Sequence, residues 1–109
     1  MRPLSQVEVE VQITSNLRRL EELTEHYSIQ REHAAVTDAE YKRVYHRAFL
    51  MNEGTVAERE AKAMRACEDQ YAARKIADAV ADSTKEAMHS CRDALSALQS
   101  LLRSIALQT

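Results

Sequence analysis

Apolar residues recur at steps of three and four along most of the chain, and that period belongs to helices that bury one face. The clearest run lies between residues 55 and 107. There Ile76, Val80, Ser83, Ala87, Cys91, Ala94, Leu98, Leu101 and Ile105 form one stripe, close to the 3.5-residue spacing of coiled coils. Leu95, Ala97 and Leu102 widen it near the end. Its first half is thinner, with Ala57, Ala61, Met64, Cys67 and Tyr71 as the seam. Small side chains there allow close helix approach but bury little area. In the N-terminal part, Val9, Ile13, Leu17, Leu20, Thr24 and Tyr27 form a second stripe, flanked by Val7, Val11 and Leu23. Val7, Val9, Val11 and Ile13 also alternate in a strand-like way. The alternation stops at once and has no partner strand, so helix is the better reading.

Helix boundaries follow from capping chemistry. Ser5 with Glu8, Thr37 with Glu40 and Thr55 with Glu58 each have the spacing of a capping box, in which a hydroxyl and a carboxylate satisfy orphan backbone donors. Gly54 suits the end of a preceding helix, because glycine enters the left-handed region at little cost. The pattern therefore predicts helices over about 5–34, 38–52 and 55–107, after a short lead at residues 1–4 that contains Pro3. A break is expected near residues 35–37. A second break near Asp82-Ser83-Thr84 is the lesser alternative, since Ser and Thr compete for backbone hydrogen bonds. One helix over 55–107 would be about 80 Å long, and the two earlier helices, at about 45 Å and 22 Å, would match it end to end. The expected fold is all-α: one domain over 1–109, an elongated helical hairpin or bundle of about three helices with a long C-terminal helix. So thin a body has a weak core. Self-association through Ile76, Val80, Leu95, Leu98, Leu101, Leu102 and Ile105 is the expected remedy.

Composition agrees. A single glycine, a single proline and 13 alanines in the 55 residues from Thr55 onward leave little room for turns or sheets. Formal net charge is −2, so a nucleic-acid site has to be a local patch. No run of 18 apolar residues and no signal peptide are visible, and a cytoplasmic location is expected, in the host cytoplasm if the chain is phage-encoded. Cys67 and Cys91 lie 24 residues apart on the expected long helix and read as small buried thiols in a reducing compartment.

Candidate chemistry concentrates in Tyr41-Lys42-Arg43-Val44-Tyr45-His46-Arg47-Ala48-Phe49. On a helix, Lys42, Arg43, His46 and Arg47 share one arc. Tyr41, Val44, Ala48 and Met51 share the opposite one. Tyr45 and Phe49 lie at the margin, and Arg31 and His33 could extend the basic arc. Net charge from Tyr41 to Asn52 is +3. Cations on one face neutralise phosphates, and marginal rings stack on unpaired bases, so single-stranded nucleic acid fits this arc better than duplex. The competing reading is a solvated face that pairs with the acidic first helix. Arg59, Lys62 and Arg65 form a second basic series among glutamates and read as a salt-bridged surface. Glu22 and His26 are one turn apart, but two ligands do not make a metal site. One glycine excludes phosphate-cradling loops, and no nucleophile-base arrangement has the context for catalysis. A non-enzyme with no cofactor and no metal is expected.

The basic helix at residues 41–47, the acidic turn after it and the long helix ending in a leucine-rich run with Leu102-Arg103-Ser104 together resemble UvsY-type phage recombination mediators. The likeness is one of organisation over residues 38–107. It implies an oligomeric cytosolic ring that binds single-stranded DNA and helps load a recombinase. The family's DNA-contacting cations would fall, by position, on Lys42, Arg43 and Arg47. The first expectation for function is thus a single-stranded DNA-binding recombination accessory that oligomerises through its long helix. The alternative, from another class, is a small helical protein-interaction module, an inhibitor or adaptor without nucleic-acid binding. A purely structural coiled-coil assembly is the third.

Overall fold

The computed structural model describes residues 4–108, so the lead around Pro3 falls largely outside the described residues. The described chain is all-α, with three helices and no strand: α1 (Gln6–Met51), α2 (Val56–Ala66) and α3 (Glu68–Gln108). A long C-terminal helix is present as expected.

The cap at Ser5 forms in full. Glu8 N–H donates to Ser5 Oγ at 3.2 Å and Ser5 N–H donates to Glu8 Oε2 at 3.1 Å, so two orphan donors are satisfied reciprocally. At Thr55 the backbone is extended and its hydroxyl oxygen accepts from Glu58 N–H at 3.2 Å. The third box is not used. α1 runs without interruption through residues 35–37, where a break was expected. Thr37 donates its hydroxyl to Ala34 O at 2.9 Å, one turn back, and Glu40 is engaged by Arg43 instead. Ala34, Ala35 and Ala39 supply strong helix propensity around it. A hydroxyl bonded back to its own helix does not have to end it.

The second half of the chain does break, but at Cys67, and α3 continues through Asp82-Ser83-Thr84. Cys67 has φ −115° and ψ 21°. Its N–H is shared between Ala63 O at 3.2 Å and Met64 O at 3.3 Å, and its thiol donates to Met64 O at 3.6 Å. Tyr71 N–H still reaches Cys67 O at 2.8 Å, so the ladder resumes within one turn. Glu68 and Asp69 then open α3, where negative charge favours a helix N-terminus.

Contacts divide the chain into two compact units that share α1 and α3: residues 1–27 with 83–109, and residues 28–82. In the first, Val9, Met88, Cys91 and Leu95 are buried, with Ile13, Asn16, Leu20, Leu23, Tyr27, Thr84, Leu98, Leu102 and Ile105 half-buried. Cys91 donates its thiol to Asn16 O at 3.2 Å across the helix pair. In the second, Ala34, Ala63, Cys67, Ala77 and Ala81 are buried. Tyr41 meets Tyr71 with ring centroids 5.6 Å apart, and Asp38 meets Arg74 at 3.0 Å. These pairings run α1 antiparallel to α3.

The covered positions keep heptad steps on both long helices, but not always those expected. On α3 the seam is Ala77, Ala81, Thr84 and Met88, one residue later than Ile76, Val80, Ser83 and Ala87. Leu95 and Leu102 replace Ala94 and Leu101 farther on. On α1, Asn16 and Leu23 are covered in place of Leu17 and Thr24; on α2, Ala63 takes the seam, and Ala57, Ala61 and Met64 are exposed. In the second unit, close helix approach selects Ala77 and Ala81 at the contact and leaves the bulkier Ile76 and Val80 on the flank.

The turn between α1 and α2 rests on Gly54, at φ +121°, a region only glycine occupies readily. A Cβ there would run into the Glu58 carboxylate. Gly54→Ala is expected to cost about 1–3 kcal/mol. Thermal unfolding followed by far-UV circular dichroism should show it as a fall of about 4–8 °C per kcal/mol.

Candidate functional site

All five residues of the expected nucleic-acid face lie in the second unit, on the last turns of α1. Lys42, Arg43, His46 and Arg47 are exposed, and Tyr45 is half-buried. The arc exists as drawn from the sequence, but two of its cations are already engaged. Lys42 Nζ lies 2.9 Å from Asp38 Oδ2. Arg43 grips Glu40 with both prongs, Nε to Oε2 at 3.1 Å and Nη2 to Oε1 at 2.7 Å. Hydrogen bonding to Lys42 holds the Asp38 carboxyl below its ordinary range, and the Arg43 guanidinium does the same for Glu40. Both carboxylates therefore stay charged at neutral pH, and net charge over residues 38–47 is only +1. Exposed pairs of this kind contribute little to stability, so phosphate can displace them, but the carboxylates would still repel it. Among the described residues Arg47 makes no ion pair.

The rings form a ladder. Tyr41, Tyr45 and Phe49 follow one another at 6.1 Å and 6.4 Å, the second pair stacked at 16°. His46 meets Tyr45 edge-on at 5.7 Å. Burial pushes the Tyr45 phenol up from its ordinary value, which marks it as partly packed rather than fully offered to a ligand.

Sequence reasoning missed the work of the second basic series. Arg59 lays its guanidinium over Phe49 at 4.3 Å and donates Nε to Phe49 O at 3.1 Å. Lys62 donates to Glu53 O at 3.2 Å. These cations, with Asn52 Nδ2 donating to Ala48 O at 2.6 Å, satisfy carbonyls at and just beyond the end of α1. They are turn braces rather than a salt-bridged surface. A second missed feature is Arg74, which joins Asp38 at 3.0 Å, Asp78 at 4.0 Å and the Tyr41 ring at 5.2 Å. Neither was legible, because Arg59 reaches Phe49 and Arg74 reaches Asp38 and Tyr41 on another helix.

The seven residues expected to mediate self-association do not share one surface. Leu95 is buried in the first unit, and Leu98, Leu102 and Ile105 are half-buried there. They serve the chain's own helix pair. Leu101 lies exposed on the flank. Ile76 and Val80, at 65% and 45% exposure, line an apolar groove of about 440 Å³ in the second unit with Ile29, His33 and three smaller or polar neighbours. Gln30 borders this groove, and its side-chain oxygen is buried without a hydrogen-bond partner.

Both thiols are free and buried. Burial pushes the Cys67 thiol up, the opposite of an activated nucleophile. Among the described residues no three His, Cys, Asp or Glu side chains converge as metal ligands, and no helix is long and apolar enough to cross a membrane. No family model matches the chain, and no curated protein or solved structure is significantly similar to it.

Proposed function

We propose that the protein is a non-enzymatic helical interaction module that acts by docking an apolar helix surface against another chain. The observation that carries this reading is the groove between α1 and α3 in the second unit. Ile29 and Ile76, at 66% and 65% exposure, stand at its edge where a surface helix would ordinarily carry charge. On α3, Ile76 and Val80 line the groove at i and i+4, the anchor spacing of a helix-in-groove contact. The test is whether these residues belong to the fold or to an interface. Ile76→Asp at high dilution should leave helicity and melting temperature within about 0.5 kcal/mol of the parent. A large drop in melting temperature would assign Ile76 to the chain's own core and sink the reading.

A second reading keeps the expected role of a recombination accessory that binds single-stranded DNA in the cytoplasm, and with it the UvsY-type resemblance. It is favoured by exposed Arg47 and His46 beside the Tyr45–Phe49 stack. It predicts salt-sensitive binding of a labelled single-stranded oligonucleotide in fluorescence anisotropy, weakened by Lys42→Ala with Arg47→Ala. Each lost phosphate contact should flatten the logarithmic salt slope by about 0.7. Wild-type affinity in the double variant would remove this arc from consideration.

A further inference from the structure

The cationic arc on the last turns of α1 already holds anions, and they belong to the chain. Asp38 takes one cation on each oxygen. Lys42 Nζ lies 2.9 Å from Oδ2, and Arg74 Nε lies 3.0 Å from Oδ1. Glu40 does likewise with Arg43, Nε donating to Oε2 at 3.1 Å and Nη2 to Oε1 at 2.7 Å. Phosphate engages cations in the same way, with separate oxygens each accepting from one donor and arginine gripping two. Lys42 holds the Asp38 carboxyl below its ordinary range, and Arg43 does so for Glu40, so both groups stay anionic at neutral pH.

The engaged cations come from two helices. Lys42 and Arg43 lie on α1, and Arg74 lies on α3. Lys42 and Arg74 line a cleft of about 350 Å³ together with Arg31, Asp38 and Asp78. Among the described residues Arg31 makes no ion pair, nor does Arg47, so these two are open to a ligand from the outset. The other three are not. Pairs this exposed add little to stability. Their effect falls on binding instead, because each carboxylate repels the anion that its own cation would attract.

We propose that Asp38 and Glu40 are internal competitors for an anion site formed by Lys42, Arg43 and Arg74, so that the arc is self-inhibited and a single strand binds by setting phosphates in place of the two carboxylates. This rests on the strand-binding reading and adds to it a cation from α3 and the contact that restrains affinity. A phosphate that replaces a carboxylate on the same cation gains no ion pair. The displaced carboxylate then gathers a counterion, so fewer counterions are released than when a phosphate meets a free cation. Binding to the self-inhibited arc is therefore weak and has a shallow salt dependence.

Fluorescence anisotropy of a labelled oligothymidylate against the full chain, across a salt series, tests this. Glu40→Gln should tighten binding about two- to fivefold, and Asp38→Asn by a similar factor, the scale of an exposed ion pair. Each should steepen the logarithmic salt slope by about 0.7 for every cation released. Arg74→Gln in the Asp38→Asn background should return affinity toward that of the parent. Glu32→Gln removes the same charge from an exposed acid that holds no cation among the described residues, and should change affinity less than about twofold. Glu40 pairs within α1 alone. Its variant therefore reads the competition even where loss of the Asp38–Arg74 tie loosens the fold, which far-UV circular dichroism reports. If Glu40→Gln and a folded Asp38→Asn bind as the parent does, the carboxylates are not competitors, and the inference is overturned while the strand-binding reading stands. An equal gain in Glu32→Gln would overturn it as well, by assigning the effect to net charge. No binding by any of these chains at low salt would end the strand-binding reading and this inference with it.

Discussion

Leu95→Ala is expected to lower the unfolding free energy by about 2–5 kcal/mol, while Leu101→Ala should change it by no more than about 0.5 kcal/mol. The two leucines sit six residues apart in the same leucine-rich run, and hydropathy alone ranks them equally. Leu95 is 7% exposed in the first unit and Leu101 is 38% exposed. Removing three carbons from Leu95 leaves a cavity in a seam whose other fully covered members are few, namely Val9, Met88 and Cys91. With so little core, one truncation takes a large share of the 5–15 kcal/mol typical of a domain. Urea unfolding followed at 222 nm, at low protein concentration, measures both variants. Equal losses would mean that the burial seen for the separate chain does not govern its stability.

The second large effect comes from adding volume. Ala81→Leu should destabilise by about 1–3 kcal/mol or more, whereas Ala79→Leu should be close to neutral or slightly favourable. Ala81 has no exposed surface, and Ala77, one turn before it on α3, and Ala34 on α1 are buried as well. Helices meeting through alanine lie close together, so a leucine can be fitted only by pushing the helices apart or by leaving its rotamer minimum. Ala79 points to solvent. Both variants have nearly the same helix propensity, so the difference in melting temperature reports packing alone. A stabilised Ala81→Leu would show that the alanine seam holds unfilled space.

The capping box at Ser5 and the hydroxyl cap at Thr55 were legible because both partners lie within four residues. Thr37 carried the same signature and no cap formed there. That box competes with an uninterrupted helix, and neighbouring alanines together with a back-bonded hydroxyl win. The cationic arc at Lys42, Arg43, His46 and Arg47 was legible as an arc, since angular position on a helix follows from residue number. Its compensation by Asp38 and Glu40 was overlooked, although those acids lie three and four residues away, within the reach of side-chain pairs on one helix. In sequence, the line of α3 at Ile76 and Val80 looks like the main seam, because larger apolar residues outscore alanine.

By itself, the sequence determined that this protein is all-α, that a glycine turn separates α1 from α2, and that α3 is long and patterned in heptads. Those properties rest on propensity, period and capping, which act over a single turn of chain. Only the tertiary structure decided which of two neighbouring heptad lines is covered, where the second half breaks, and that Arg59 and Lys62 brace the end of α1. Each of these is settled by how close two helices come and by which orphan carbonyls that approach leaves to be satisfied.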